Sequence, residues 1–536
     1  MQVTTLRAAL AAGPSAPATA PGLVRTAWTA LTARPATTAV LLPAATMFVL
    51  GLWGLDRDSM WRDEGVTHQV ATRSLPEIVR LLGSADAVHG LYYLLMHVVL
   101  SVHPGEVALR LPSVLAGAAT AALVAALGVR LARPRVGLWA GLLYAATPLT
   151  GYYAQEGRSY ALVAAGATGA TLLLERAVRH ARVRDWCLYG AVVVGTVLLH
   201  ELAALLLLAH AVTLLLSWRR LDRQVWRSWA VCACASLTVL LPLARLTLGQ
   251  GESAAWLGGP EEGGAASLLK AVAGPTELVL TGALLLACVA LNSPLERTGR
   301  LSLNAVALPL MVLPPAVLIV ASQYTPLHHD RYLYFALAGA PLMAAAGAER
   351  IARGVRMLRS RSGRRAGGAL FGAAVVGLAF CWQLPLHRAD RTTEQRPDDP
   401  AAVAGLVDRQ LGHGDAMLYL PSAGRRTALA YPDAFRGTKD VALARTAVAS
   451  GTLYGEETGA RELRNRLAGL EHVWLLAEPY AALPEWEPGD ATERAKLTVV
   501  SEEFLLRDEF PTRSGVLRHY IRRPADKPVG WPPPAE

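Results

Sequence analysis

Asp63 and Glu64, in the run Trp61-Arg62-Asp63-Glu64, stand just beyond an apolar stretch, Ala36 to Leu55, of membrane-spanning length. A carboxylate at such a position can accept the proton of a hydroxyl while that oxygen attacks an electrophile. Arg158 and Arg331 also lie at the ends of apolar segments. A guanidinium stays protonated, so it cannot act as a base, but its planar fork binds phosphate oxygens bidentately. A carboxylate opposite two arginines suits a reaction in which one partner loses a proton and the other leaves as a phosphate. Because that phosphate would be met at a membrane surface, a lipid phosphate is the economical expectation.

Further ionisable residues recur at segment ends: His89, Glu156 beside Arg158, the pair His200-Glu201, and His328, His329 and Asp330 before Arg331. Any one of them alone reads as a solvated or snorkelling helix end. Five such elements on one face of a membrane module make a candidate site. His200-Glu201 reads as either a turn or a substrate contact, and Glu156 and His329 as further substrate contacts. Asp63, Glu64, His200 and Glu201 are ligand types that suit a divalent ion. Their spacing does not demand one, so no metal site is assigned and no cofactor is required. There is no P-loop, no zincin His-Glu-x-x-His and no dinucleotide-binding glycine fingerprint. The five cysteines lie in or beside apolar segments and form no disulfide or zinc framework.

The elements that must position these residues are mostly membrane helices. Of 536 residues, 53% are hydrophobic and 18% charged, a membrane-protein balance. From Arg388 to the end there are 20 Lys/Arg and 23 Asp/Glu, so the net charge of +10 comes from the preceding part. That argues for basic cytoplasmic loops and against nucleic acid. The apolar runs predict about eleven spans: 36–55, 110–130, 136–153, 159–177, 186–200, 202–218, 229–248, 270–291, 301–321, 332–348 and 367–386. With the N-terminus inside, arginine-rich loops fall on the cytoplasmic side and the candidate site outside. Gly90 to Val102 is apolar but too short to cross. It reads as an interfacial helix, preceded by another at Leu75 to Leu82, within a first outer loop of residues 56–109.

The expected organisation is therefore a disordered cytoplasmic N-terminus (1–35), a mainly α transmembrane module (36–387) and a soluble extracytoplasmic α/β domain (388–536). That last domain rests on strand-like runs at Ala416–Leu420, His472–Leu476 and Gly515–Ile521, with a helical pattern at Gly459–Leu470.

From Trp61 to about Arg176, and again near Arg331, the chain resembles the GT-C membrane glycosyltransferases. Within them it is most similar to glycosyltransferase family 39, the protein O-mannosyltransferases, and to the related aminoarabinose transferases. The resemblance rests on Asp63-Glu64, His89-Gly90-Leu91-Tyr92-Tyr93, Arg110-Leu111-Pro112-Ser113, Tyr153-Ala154-Gln155-Glu156-Gly157-Arg158-Ser159-Tyr160 and Arg331-Tyr332-Leu333. It implies a polyprenyl-phosphate-sugar donor, an acceptor hydroxyl on a protein, glycan or lipid, and inverting transfer, with mannose as the sugar. It makes Asp63 the general base, with Glu64 supporting it or meeting the acceptor. Arg158, His89 and Arg331 would hold the donor phosphate, and Tyr92 would lie in the substrate site. Two features depart from the family pattern. Gly90 replaces a Pro-Pro pair, and the MIR domain of the eukaryotic protein O-mannosyltransferases is missing, which weakens the case for a protein acceptor. The rival readings are a lipid-linked-sugar flippase, which would need midplane polar groups such as His210, and a non-catalytic glycan-binding membrane protein.

Overall fold

The structure, a computed structural model, describes residues 34–56, 59–250, 276–292, 295, 299–323, 330–357, 364–392, 396 and 398–524. Residues 1–33, expected to be disordered, lie outside the described residues. So do His328 and His329, much of the acidic stretch after Gln250, and part of the basic run Arg350–Arg365.

The chain opens with α1 (Pro35–Leu52), followed by α2 (Arg62–Ala71), α3 (Leu75–Leu82) and α4 (Gly90–Val102). Then come α5 (Glu106–Leu131), α6 (Pro134–Ala146), α7 (Pro148–Tyr153), α8 (Tyr160–His180), α9 (Val183–Leu199) and α10 (Leu205–Leu216). The helical part continues with α11 (Arg223–Gly249), α12 (Glu277–Asn292), α13 (Leu303–Ala321), α14 (Gly339–Met357) and α15 (Arg364–Ala389). Among the described residues six helices are long and apolar enough to cross a membrane: α1, α5, α8, α11, α13 and the Leu370–Ala389 part of α15.

Some of the other expected spans change shape, for local reasons. The run 136–153 is broken because Pro148 lacks an N–H and holds Thr147 extended, so α6 ends and α7 starts afresh. The run 332–348 begins as 3-10 turns, Asp330–Tyr332 and Tyr334–Ala338, and becomes helical only at Gly339. Pro341 fits the first turn of a helix, where no intrahelical N–H is needed, and not its interior. The run Trp186–Trp218 splits at His200, with a 3-10 turn Glu201–Ala204 between α9 and α10.

Helices α5 and α6 touch backbone to backbone. A Cβ on Gly137 would lie 2.4 Å from the Ala125 carbonyl oxygen, and one on Gly128 2.7 Å from the Gly137 Cα. Small residues allow this approach in lipid, where van der Waals contact rather than the hydrophobic effect holds helices together. One continuous apolar cluster runs through this part, from Met47 through Trp139 and Tyr189 to Leu342.

The stretch between α1 and α5 is compact. Val66 and Val70 of α2, Ile78 and Leu81 of α3 and Tyr93 of α4 form their own buried cluster. The α3 and α4 boundaries coincide with the two expected interfacial helices, whereas α2, which carries Asp63 and Glu64, was not foreseen. Acidic residues in a first helical turn complement the exposed N–H groups there.

The C-terminal part is a mixed α/β structure. It comprises α16 (Pro400–Gln410), β1 (Ala416–Leu420), α17 (Arg425–Ala430), β2 (Lys439–Asp440), β3 (Leu443–Arg445), α18 (Ala447–Ser450) and β4 (Glu456–Glu457). It ends with α19 (Ala460–Ala468), β5 (His472–Ala477), α20 (Ala491–Glu503), β6 (Phe504–Thr512) and β7 (Gly515–Arg522). A five-stranded sheet has the order β2-β1-β5-β7-β6, with β1 parallel to β2 and β5, and β7 antiparallel to β5 and β6. Alternation along β1 sends Ala416, Leu418 and Leu420 towards α19 and α20, and Met417 and Tyr419 towards α16.

This α/β part sits on the α1–α5 connection. Ser59 donates to Asp399 (2.9 Å), the Arg62 N–H to Asp398 (2.9 Å) and the Met60 N–H to the Tyr431 hydroxyl (2.7 Å). Gln69 donates to the Leu453 carbonyl (3.1 Å).

Candidate active site

Asp63 and Glu64 are consecutive in the first turn of α2, so their side chains diverge by about 100° around the helix. Glu64 points into the protein and is fully buried. Its carboxylate takes two hydrogen bonds from Arg110 of α5 (3.0 and 2.8 Å) and one from the Gly157 N–H (2.7 Å), and Arg396 lies 3.8 Å away. Burial alone would raise the Glu64 pKa, but Arg110, Arg396 and the Gly157 N–H outweigh it and hold the carboxyl below its usual range. Gly157 has no side chain for good reason: a Cβ there would sit 2.6 Å from Leu109 and 3.3 Å from Glu64. Glu64 is thus a buried latch between α2, α5 and the α7–α8 turn, a placement that suits the first of its two expected roles, supporting Asp63, better than contact with an acceptor.

Asp63 faces the other way and keeps part of its side chain exposed. Arg331 donates to its Oδ2 at 3.1 Å, and Arg158 stands 4.0 Å from the same atom. Both arginine side chains are more than nine-tenths buried. Arg158 also donates to His89 Nε2 (2.7 Å) and to the Thr67 hydroxyl (3.3 Å). Because a guanidinium can only donate, His89 must accept at Nε2 and be neutral. Burial first, then Arg158, holds its pKa well below the usual histidine range.

His200 is buried next to His89, with ring centroids 6.1 Å apart, and against Tyr332 (5.0 Å) and Tyr160 (6.0 Å). Burial, then Arg158 and Arg331, lowers its pKa to about 3. Glu156 is buried as well, and its Oε2 has no hydrogen-bond partner among the described residues. Burial, then repulsion from Glu64 and Asp63, raises it to about 8 against the pull of Arg331 and Arg158. Asp63 is therefore flanked by two arginines and lined by two histidines whose charged forms burial disfavours and by Glu156, whose carboxyl burial and its acidic neighbours push towards the neutral form.

The α7–α8 turn that carries Glu156 and Arg158 is fixed from three sides. Ser113 donates to the Glu156 carbonyl (2.6 Å), Gln155 to the Gly51 and Trp53 carbonyls (2.9 Å each), and the Gly157 N–H to Glu64. Tyr92 of α4 is fully buried in the same region. Glu201, by contrast, accepts from Thr247 of α11 (3.0 Å) and is half-buried. Among the described residues no group of three His, Cys, Asp or Glu side chains converges as a metal site. Of the four proposed ligands of a divalent ion, Glu64 is taken up by Arg110 and Glu201 by Thr247. His329 lies outside the described residues.

Residues 90–244 match the family model of dolichyl-phosphate-mannose-protein mannosyltransferases. ArnT from Cupriavidus metallidurans, solved both bound to undecaprenyl phosphate and in the apo state, has the same fold. In each case the TM-score is 0.55 at 12% identity, covering 90% of this chain and 98% of ArnT. The chain has an ArnT-like fold. No curated protein matches the chain by sequence. The six described helices long and apolar enough to cross a membrane belong to that fold.

Within this ArnT-like fold several residues around Asp63 escaped the sequence. Arg110 was visible only as part of a motif, and its two hydrogen bonds to Glu64 became apparent only in the fold. Thr67 carried no signal at all. Arg396 comes from the start of the α/β part, far along the chain, and its position 3.8 Å from Glu64 could not have been read from spacing. His210, the midplane group a flippase would use, bonds Thr171 and Tyr189 (3.0 Å each) and is buried as a packing residue.

Proposed function

We propose that the chain transfers a sugar, mannose on family grounds, from a polyprenyl-phosphate donor to a hydroxyl of a protein, glycan or lipid acceptor on the extracytoplasmic face. In this reading residues 36–387 form the membrane module, with the N-terminus cytoplasmic, and residues 388–536 lie outside as a separate domain. The observation that carries it is the placing of one partly exposed carboxylate, Asp63, against two buried guanidiniums, Arg331 and Arg158.

The steps follow from the charges. The donor phosphate binds Arg158 and Arg331, which then share their charge between that anion and Asp63. Asp63 accepts the acceptor's O–H proton, and the freed oxygen attacks the anomeric carbon from the side opposite the phosphate. The carbon–oxygen bond to phosphate breaks, its electron pair leaves with the phosphate, and the configuration inverts. The two arginines stabilise that developing charge. His89 and His200, being neutral, do not compete with the phosphate for the two guanidiniums as further carboxylates would, and a protonated Glu156 can donate a hydrogen bond to a sugar oxygen. Glu64, through Arg110 and Gly157, positions α2 and the Arg158 turn. That the ArnT structure was solved with undecaprenyl phosphate supports the donor class.

The test is transfer of radiolabelled mannose from polyprenyl-phosphate mannose to crude envelope acceptor in reconstituted membranes. Wild type should label the acceptor, and Asp63→Asn should abolish labelling while retaining donor binding. Equal labelling by the two proteins would remove Asp63 as the base.

A further inference from the structure

The β5–β7 pairing builds a second cluster of chemically competent side chains, far along the chain from Asp63. The register sets Trp474 opposite His519 and, on the next strand, Asp508 opposite His519. His472 lies two residues from Trp474 and therefore shares its face of the sheet. The β1–β5 register, continued two residues back from Met417 and Trp474, brings Asp415 level with His472. Helix α16 covers this face further along and ends at Gln410. Beyond it opens a pocket of about 490 Å³ lined by Gln410, Asp415, Glu471, His472 and His519 among others.

Two distances define the cluster. His472 Nδ1 and His519 Nε2 face each other at 3.3 Å, with the ring planes 89° apart. The other nitrogen of each ring faces a carboxylate: His519 Nδ1 is 3.2 Å from Asp508, and His472 Nε2 is 3.7 Å from Asp415. The His519 ring is held in place by stacking on buried Trp474 (4.2 Å, 10°).

We propose that His472 and His519 together bind one divalent transition-metal ion. Two imidazole nitrogens bound at about 2.0–2.1 Å to a tetrahedral ion lie roughly 3.4 Å apart, close to the separation found here. A carboxylate hydrogen-bonded behind a ligating ring, as Asp508 is behind His519, is the usual device that fixes the tautomer and raises the basicity of the metal-facing nitrogen, while Asp415 stands 3.7 Å behind His472. Imidazole ligands favour zinc, copper or nickel over magnesium or calcium. Since no third such group converges among the described residues, water in the pocket completes the coordination and the affinity is modest. Binding here is separate from the chemistry at Asp63. It ties β5 to β7 at the edge that α16 leaves open.

The experiment uses the full chain in detergent, carried on a tag free of histidine and stripped with chelator. Zinc is titrated by calorimetry and cobalt by its visible absorption. The expected result is one saturable equivalent, weakened at least tenfold by His472→Ala or His519→Ala and unchanged by His103→Ala. Asp508→Asn should weaken it roughly tenfold to hundredfold, as loss of an outer carboxylate does. His472 is 43% exposed, so its replacement leaves packing intact even where His519→Ala disturbs the Trp474 stack. No saturable binding by wild type, or equal binding by His472→Ala, would overturn the proposal and leave the two rings as a plain imidazole–imidazole hydrogen bond.

Discussion

Both ends of the helical bundle bury carboxylates beside arginines, yet the two ends are built differently. At the end opposite the site, Glu175 meets Arg130 (3.2 Å) and Arg179 (2.6 Å), Asp185 meets Arg176 (2.9 Å), and Glu349 meets Arg133 (3.2 Å) and Arg353 (3.4 Å). There the acids are buried, but the arginine side chains remain 18–38% exposed. At the site end the order is reversed: Arg158 and Arg331 are buried, and the carboxylate between them, Asp63, reaches solvent. Guanidiniums that reach water neutralise acids and anchor helix ends cheaply. Guanidiniums withdrawn from water face the partly exposed Asp63, close to a Glu156 whose Oε2 has no hydrogen-bond partner among the described residues. The difference is one of exposure: at one end the acid is hidden and its arginines reach water, at the other the arginines are hidden and the acid reaches water.

The largest effect expected from breaking this contrast is at Asp63. Asp63→Asn should lower transfer by about 10²–10⁴-fold, the usual worth of a general base, and should also lower the melting temperature, because it takes the charge from between two buried guanidiniums; the radiolabel assay and thermal unfolding check both. Next is Arg110→Ala, which takes from the fully buried Glu64 its two shortest arginine hydrogen bonds and leaves it the Gly157 N–H and the more distant Arg396. It should destabilise the protein by about 3–5 kcal/mol, read as lower yield and an earlier melt in detergent. If Arg110→Ala melts like wild type, Glu64 is not the latch described.

Arg158→Lys keeps the charge but removes the fork that spans His89, Thr67 and the proposed phosphate. A loss of one or two charge-assisted hydrogen bonds, about 1.5–3 kcal/mol, predicts roughly tenfold to hundredfold weaker donor binding, measurable by competition with undecaprenyl phosphate.

Glu156 gives a pH-dependent test. Its folded pKa, about 8, lies above the ordinary 4.5, so the folded state holds a proton that the unfolded state has released between these values. The stability it contributes is full below about pH 4.5 and is lost as pH rises through about 8. The wild-type melt should therefore fall between pH 6 and pH 9, and Glu156→Gln should flatten that slope. The smallest effect belongs to the far end. Arg133→Ala leaves Glu349 its bond to Arg353 and should cost about 0–1 kcal/mol with transfer unchanged.

Much of this was legible in the sequence. The apolar runs gave the helices, and α3 and α4 fall where their amphipathic and apolar patterns put them. The alternating runs in the tail became β1, β5 and β7. The motifs singled out Asp63, His89, Arg158 and Arg331, and the fold brings these to one place together with Glu156 and His200. Glu201, expected among them, is turned aside to Thr247 of α11. Strand β6 was missed because Arg507, Asp508 and Glu509 break its apolar pattern on a sheet edge. The break at Pro148 and the late start of α14 at Gly339 were also missed, since both depend on single prolines inside otherwise helical runs.

What the sequence determined by itself was therefore local: which stretches are apolar enough to leave water, and which residue types could take a proton or hold a phosphate. Backbone periodicity and side-chain chemistry are fixed by the residues themselves. Which of two adjacent carboxylates faces the cleft was decided only by the tertiary structure. Glu64 is drawn inward because Arg110, the Gly157 N–H and Arg396 converge on it from three distant parts of the chain. Asp63 is left to face Arg331, which is 268 residues away. Charges buried together select their partners by packing geometry, and that geometry exists only once the helices have closed around them.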